Sequence, residues 1–189
     1  FFVVMVLSLI SLLMSFQLTT TATTAYRRYT LALGGVVFAW SLMFAGVVFI
    51  RLTNQSAASI LPPLERAVSI ASLLLLGWAF LTADHTRNAT ASNSVLLLLL
   101  LGVAIAYAAT GILWIETGAS PDFNLTAFGL SWAIALTAVP ILGILLAFLY
   151  IGDMVDAPLK IVYFLFMTLG AGITVFQMVT NGIIGNDMG

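Results

Sequence analysis

The stretch Ser92-Asn93-Ser94-Val95-Leu96-Leu97-Leu98-Leu99-Leu100-Leu101-Gly102-Val103-Ala104-Ile105-Ala106-Tyr107-Ala108-Ala109-Thr110-Gly111-Ile112-Leu113-Trp114-Ile115-Glu116 decides the fold class. It carries no charge before Glu116 and exceeds the roughly 20 apolar residues that cross a bilayer as a helix. Its apolar residues are continuous, without the in-out alternation of a membrane barrel strand. In hydrocarbon only helices and closed barrels satisfy every backbone N–H and C=O, so this run reads as a transmembrane helix.

The rest of the chain has the same character. Of 189 residues, 62% are hydrophobic and 7% charged, against roughly a quarter charged in an ordinary globular chain. Uncharged runs mark six spans, at about 1–17, 26–50, 63–83, 92–116, 123–150 and 157–184. The expected fold is all-α, a polytopic transmembrane helical bundle forming a single domain over 1–189. The chain begins apolar at Phe1 and ends in a turn-like Ile183 to Gly189, so it reads as a piece of something longer, and one further helix after it would give seven spans.

Composition also excludes chemistry. A net charge of −1, from six Lys/Arg against seven Asp/Glu, leaves no basic surface for nucleic acid. With zero cysteines, thiolate metal sites, iron–sulfur clusters and cysteine nucleophiles are absent from this sequence. The one histidine, His85, lies between spans and reads as a loop residue, not an axial ligand. We therefore expect no enzyme activity, catalytic residue, metal or cofactor in this segment.

Lys and Arg concentrate on the cytoplasmic side of membrane proteins. Alternating the spans puts Arg27, Arg28, Arg87 and Lys160 at one end, A, and only Arg51 and Arg66 at the other, B. End A is expected to be cytoplasmic in a bacterial inner membrane. Tyr29, Trp78, Tyr150 and Tyr163 fall near that end as an aromatic belt. No ionisable residue falls at mid-span, and Glu65, Arg66, Glu116, Asp122, Asp153, Asp156 and Lys160 are expected to sit solvated at helix ends or in loops.

The uncharged polar residues recur at helical spacing. Tyr107, Thr110, Trp114 and Thr117 share one face of the fourth span, and Gly170, Thr174, Gln177 and Asn181 share one face of the sixth. Both stripes lie toward end B, joined there by Asn124, Thr126, Ser131 and Trp132 of the fifth span. They are read either as interhelical hydrogen-bonding residues or as lining of an outward polar cavity, with Tyr107, Thr110, Trp114, Thr174, Gln177 and Asn181 as ligand-pocket candidates. Ala67 with Ala71 and Ala104 with Ala108 are small-residue pairs suited to close helix approach. Pro140, inside the fifth span, is a bend or a hinge. Leu61-Pro62-Pro63-Leu64-Glu65-Arg66-Ala67 reads as the rigid start of the third helix, with Pro63 in its first turn and Glu65 near the positive end of its dipole.

That segment, running into an apolar helix with Trp78, resembles the multi-helix membrane sensor regions that precede GAF and histidine kinase domains in Chloroflexus-like bacteria. Asp156-Ala157-Pro158-Leu159-Lys160 opening the sixth helix, and the polar loop with Asp122 and Asn124 before Trp132, add to the resemblance. It implies a membrane-embedded sensory bundle whose partners are lipids and a cytoplasmic signalling domain. No phospho-accepting histidine box or ATP-binding motif is present in this sequence. The alternative is an accessory structural subunit of a bacterial electron-transfer or photosynthetic membrane complex, packed against other membrane subunits. A small-solute transporter is the third option, without the inverted repeats or paired broken helices that such folds use.

Overall fold

Apolar residues on every face, too continuous for an amphipathic surface helix, give long helices throughout the computed structural model. It describes residues 24–53, 57–82, 89–116, 123–149 and 157–187. These form α1 (Thr24–Thr53), α2 (Ala57–Thr82), α3 (Ala89–Glu116), a single 3-10 turn (Phe123–Leu125), α4 (Ala127–Leu149) and α5 (Ala157–Asp187). The described residues contain no strand. Four helices are long and apolar enough to cross a membrane, over Arg27–Ile50, Ile60–Thr82, Thr90–Glu116 and Ala127–Leu149, with a shorter apolar stretch at Pro158–Ile173. This is compatible with an integral membrane protein. Of the six expected spans, the first (1–17) lies outside the described residues, as do His85, Arg87, Asp122, Tyr150, Asp153 and Asp156.

Helix α2 is the centre of the bundle, packing against α1, α3 and α4 and touching α5, while α4 and α5 pack together. Gly35 of α1 meets Leu75 of α2, and Gly46 meets Leu64. As one number rises the other falls, so these neighbours are antiparallel. All five helices have one end at A, where α1, α3 and α5 begin, and the other at B, where α2 and α4 begin.

Two apolar clusters hold the bundle, one toward each end. Toward B, Ala67, Ile70, Trp114, Phe123, Trp132, Leu136 and Ala171 are buried together. Toward A, Phe164 of α5 packs with Ala147 of α4 and with Phe80, Ile161 and Tyr163. The Phe80 and Tyr163 rings stack at 3.9 Å between centroids, and Tyr29 meets the edge of Phe80 at 5.4 Å. Tyr29, Trp78 and Tyr163 thus do gather at end A. Hydroxyls are satisfied locally: Ser72 Oγ donates to the Val68 carbonyl and Thr168 Oγ1 to the Phe164 carbonyl, both at 2.8 Å. Such back-bonding to the preceding turn satisfies a hydroxyl without water.

The Phe164 ring occupies a notch made by two glycines, Gly77 and Gly143. A Cβ on Gly143 would sit 2.5 Å from the ring's Cε1 and 2.6 Å from its Cδ1. Phe80 and Tyr163 flank the ring at 6.4 and 5.7 Å between centroids, so its shift would disturb them too. Gly143→Ala is expected to destabilise the bundle by about 2 kcal/mol, within the range for overpacking a core. Thermal unfolding in dodecyl maltoside, followed by tryptophan emission, checks this; an unchanged transition would show that the notch is looser than described.

Three expectations are corrected. Helix α2 starts at Ala57, so Pro62 and Pro63 lie inside the helix instead of opening it. Their rings remove two backbone donors, yet the helix runs through, with Pro63 fully buried. Glu65 is therefore not in the first turn. Secondly, Arg66 and Lys160 are not solvated, their residues being 5% and 4% exposed, and Arg28 is covered as well, at 6%. A charge near the end of its own helix can still be covered by neighbouring helices, which position along the chain does not reveal. Thirdly, Ala104 and Ala108 face outward with Leu97, Leu101 and Ile105, and only Ala67 of the two pairs joins a buried cluster.

Candidate functional site

Arg66 is the group around which end B is organised. Because α2 starts at Ala57, Arg66 lies nine residues along it, about 13.5 Å from the helix start at 1.5 Å per residue. Its Nη2 donates to Asn124 Oδ1 in the 3-10 turn at 3.1 Å. Its Nη1 is 3.7 Å from Glu65 Oε1, beyond hydrogen-bond length, and the Glu65 side chain is half exposed. Its Nε is buried and has no hydrogen-bond partner. A buried guanidinium is thus held by one neutral acceptor and one distant carboxylate.

The turn that supplies Asn124 is itself tightly built. Thr126 Oγ1 donates to the Phe123 carbonyl at 2.6 Å and accepts from the Gly129 N–H at 3.2 Å. Thr126 is therefore the N-cap of α4, a position that favours such a side chain. Gly129 packs directly on the turn: a Cβ there would be 2.7 Å from Asn124 Cα and would also overlap the Phe123 carbonyl. The glycine is what lets α4 approach closely enough to fix Asn124 in front of Arg66.

An aromatic wall stands beside this polar pair. Trp114, 1% exposed, meets Phe123 edge-on at 5.0 Å. Trp132 Nε1 donates to Thr110 Oγ1 at 3.2 Å, joining α4 to α3. Tyr107 packs half-buried against the same cluster. The structure thus brings Tyr107, Thr110 and Trp114 together on the inward face of α3, as the spacing predicts. Trp114 fills the space between α3 and the turn, and Thr110 has an interhelical partner.

The α5 stripe is placed differently. Its first member, Gly170, is exposed, and the residues of α5 that join the cluster are Ala171 and Val175, one position on. The side chains of Thr174, Gln177 and Asn181 lie outside the described residues, as does Thr117. Ser131 is exposed and bonds only to its own helix, Oγ to the Phe128 carbonyl at 2.8 Å. Pro140 is fully buried within the continuous helix α4.

No match is found among known protein families, curated proteins or solved structures. The site must be read from its own chemistry. Among the described residues, no three His, Cys, Asp or Glu side chains group closely enough to hold a metal ion. What end B offers is a buried cation with an unused donor, a neutral amide beside it and two indoles.

A second charged group lies at end A, where Arg28 sits 6.0 Å above the Trp78 ring, at the outer limit of a cation–π contact. The Trp78 Nε1 is buried there without a hydrogen-bond partner. Neither cation was legible as buried. The one signal available was that Arg66 follows an uncharged stretch, Ser56 to Leu64, long enough to extend the helix upstream.

Proposed function

We propose that this chain is the membrane-embedded input bundle of a bacterial signalling protein. In this reading it sits in the inner membrane with six spans, seven if one more follows, end A in the cytoplasm and end B outside. It is non-catalytic, works among membrane lipids, and passes its state to a cytoplasmic signalling domain. The observation that carries the reading is Arg66. Charges inside a membrane protein are costly and tend to mark function, and this one sits toward end B with less hydrogen bonding than its burial calls for. A helix packed only as scaffold gains nothing from it. Trp114 lies against Phe123, next to Asn124 in sequence, with Thr110 and Tyr107 further along the same face of α3, and we keep Tyr107, Thr110, Trp114, Thr174, Gln177 and Asn181 as the ligand-contacting candidates.

The second reading, an accessory subunit of an electron-transfer or photosynthetic complex, draws on α3, whose outer face exposes Leu97, Leu98, Leu101, Ile105 and Ile112. Such a face fits either lipid or a neighbouring subunit. Isolating the polypeptide from native membranes separates the two. The input reading expects an intact mass well above 20.2 kDa, with peptides of soluble signalling domains. Fixed-ratio co-isolation with redox subunits would replace it with the accessory reading.

A further inference from the structure

We infer that Arg66 is a receptor for a carboxylate, and that Glu65 is the built-in carboxylate which a ligand displaces. The inference deepens the input-bundle reading and rests on it for the direction from which a ligand arrives. A guanidinium recognises a carboxylate best through two parallel N–H donors on one edge. Arg66 Nη2 donates to Asn124 Oδ1 at 3.1 Å, and Nε, which shares an edge of the guanidinium with Nη2, is buried without a partner. Nη2 carries two hydrogens, so the contact with Asn124 leaves one for a second acceptor.

The only acid paired with Arg66 among the described residues is Glu65, and it is poorly engaged. At 3.7 Å from Nη1 and half exposed, it balances charge without making a hydrogen bond. Adjacent positions on a helix point about 100° apart, so Glu65 cannot reach the Nε edge in the way a separate molecule could. An incoming carboxylate would take over the charge balance and add the missing bonds, releasing Glu65 toward the rim. The exchange leaves the net charge of the buried site unchanged. The incoming carboxylate is desolvated more than the half-exposed Glu65 was, a cost that its hydrogen bonds to the guanidinium offset. Trp114, one of the chain's four tryptophans, lies against Phe123, next to Asn124 in sequence, and is expected to contribute an emission change when the edge is occupied.

The test uses the purified full chain in phosphatidylcholine nanodiscs at constant ionic strength, with sodium acetate as probe and acetamide as its neutral analogue. Tryptophan emission and thermal unfolding are read together. Acetate is expected to raise the unfolding temperature saturably by several degrees and to change the emission, whereas acetamide does neither. Glu65→Gln is expected to lower the half-saturating acetate concentration severalfold, because the internal competitor is gone. Arg66→Met is expected to abolish the response. Arg66→Lys keeps a charge but not the paired donors, so it is expected to weaken the response severalfold, and it carries the test should Arg66→Met fail to fold. Equal responses to acetate and acetamide, a response retained in Arg66→Met, or no response at all would overturn the inference, and an unchanged or raised half-saturation in Glu65→Gln would overturn the displacement. A failure here leaves the mass and peptide content of the native protein untouched. Conversely, a native protein lacking signalling domains would refute the input reading while leaving an acetate response standing.

Discussion

Asn124→Leu is expected to destabilise the folded bundle by about 3 kcal/mol, the upper end for removing an acceptor from a charged group. The variant leaves Arg66 buried with only Glu65, 3.7 Å away, in partnership. Breaking one side of a buried charged pair is costly because the remaining charge stays desolvated. Arg66→Met behaves oppositely. It removes the charge and its unused Nε donor together while keeping an apolar stem of similar length, so stability is expected to be unchanged or higher. The contrast carries information beyond either number. A residue whose removal stabilises the fold is retained for something other than folding. Unfolding in dodecyl maltoside with increasing sodium dodecyl sulfate measures both. A large loss in Arg66→Met would make Arg66 a structural pin and remove the observation on which the proposed function stands.

Gly129→Ala is expected to be as damaging, at about 3 kcal/mol. Overpacking costs 1–3 kcal/mol where side chains can adjust, and here the atoms met belong to the backbone of the 3-10 turn, including Asn124 Cα at 2.7 Å. The turn must move away from α4, and Asn124 moves with it. Two changes are therefore expected from one methyl group: lower stability, and loss of the contact between Asn124 Oδ1 and Arg66. In a double variant with Arg66→Met, the part of the loss due to the hydrogen bond should vanish while the steric part remains. Full additivity would place the whole effect in the clash.

The legible and illegible parts of this molecule divide along physical lines. Continuous apolar runs such as Ser92–Glu116 announce helices because length and charge are properties of the chain itself. The inward face of α3 was legible for a related reason: Tyr107, Thr110 and Trp114 interrupt a leucine- and alanine-rich surface at helical spacing. The start of α2 was not. Pro62 and Pro63 suit a first turn, and that pattern outweighed the weaker start signal of Ser56 before Ala57-Ala58. That shift of six residues carries Arg66 inside the bundle, and so hid the centre of the candidate site. Phe164 between Gly77 and Gly143 was equally hidden, since nothing in three residues far apart in sequence shows that the fold places them at one level. The α5 stripe shows the limit of periodicity. Gly170, Thr174, Gln177 and Asn181 share a face, but spacing alone does not say which face turns inward, and the core takes Ala171 and Val175.

The site at end B and the charged aromatic cluster at end A give the bundle two chemically different ends, joined through the central helix α2. An input element needs Arg66 on the outer side. Because the chain has no cysteine, single introduced cysteines report sidedness without background. Thr53→Cys and Glu116→Cys, both exposed at end B, are expected to react with a membrane-impermeant maleimide on intact cells. Thr90→Cys and Pro158→Cys, exposed at end A, are expected to react only after permeabilisation. The reverse pattern would turn Arg66 toward the cytoplasm and contradict the account.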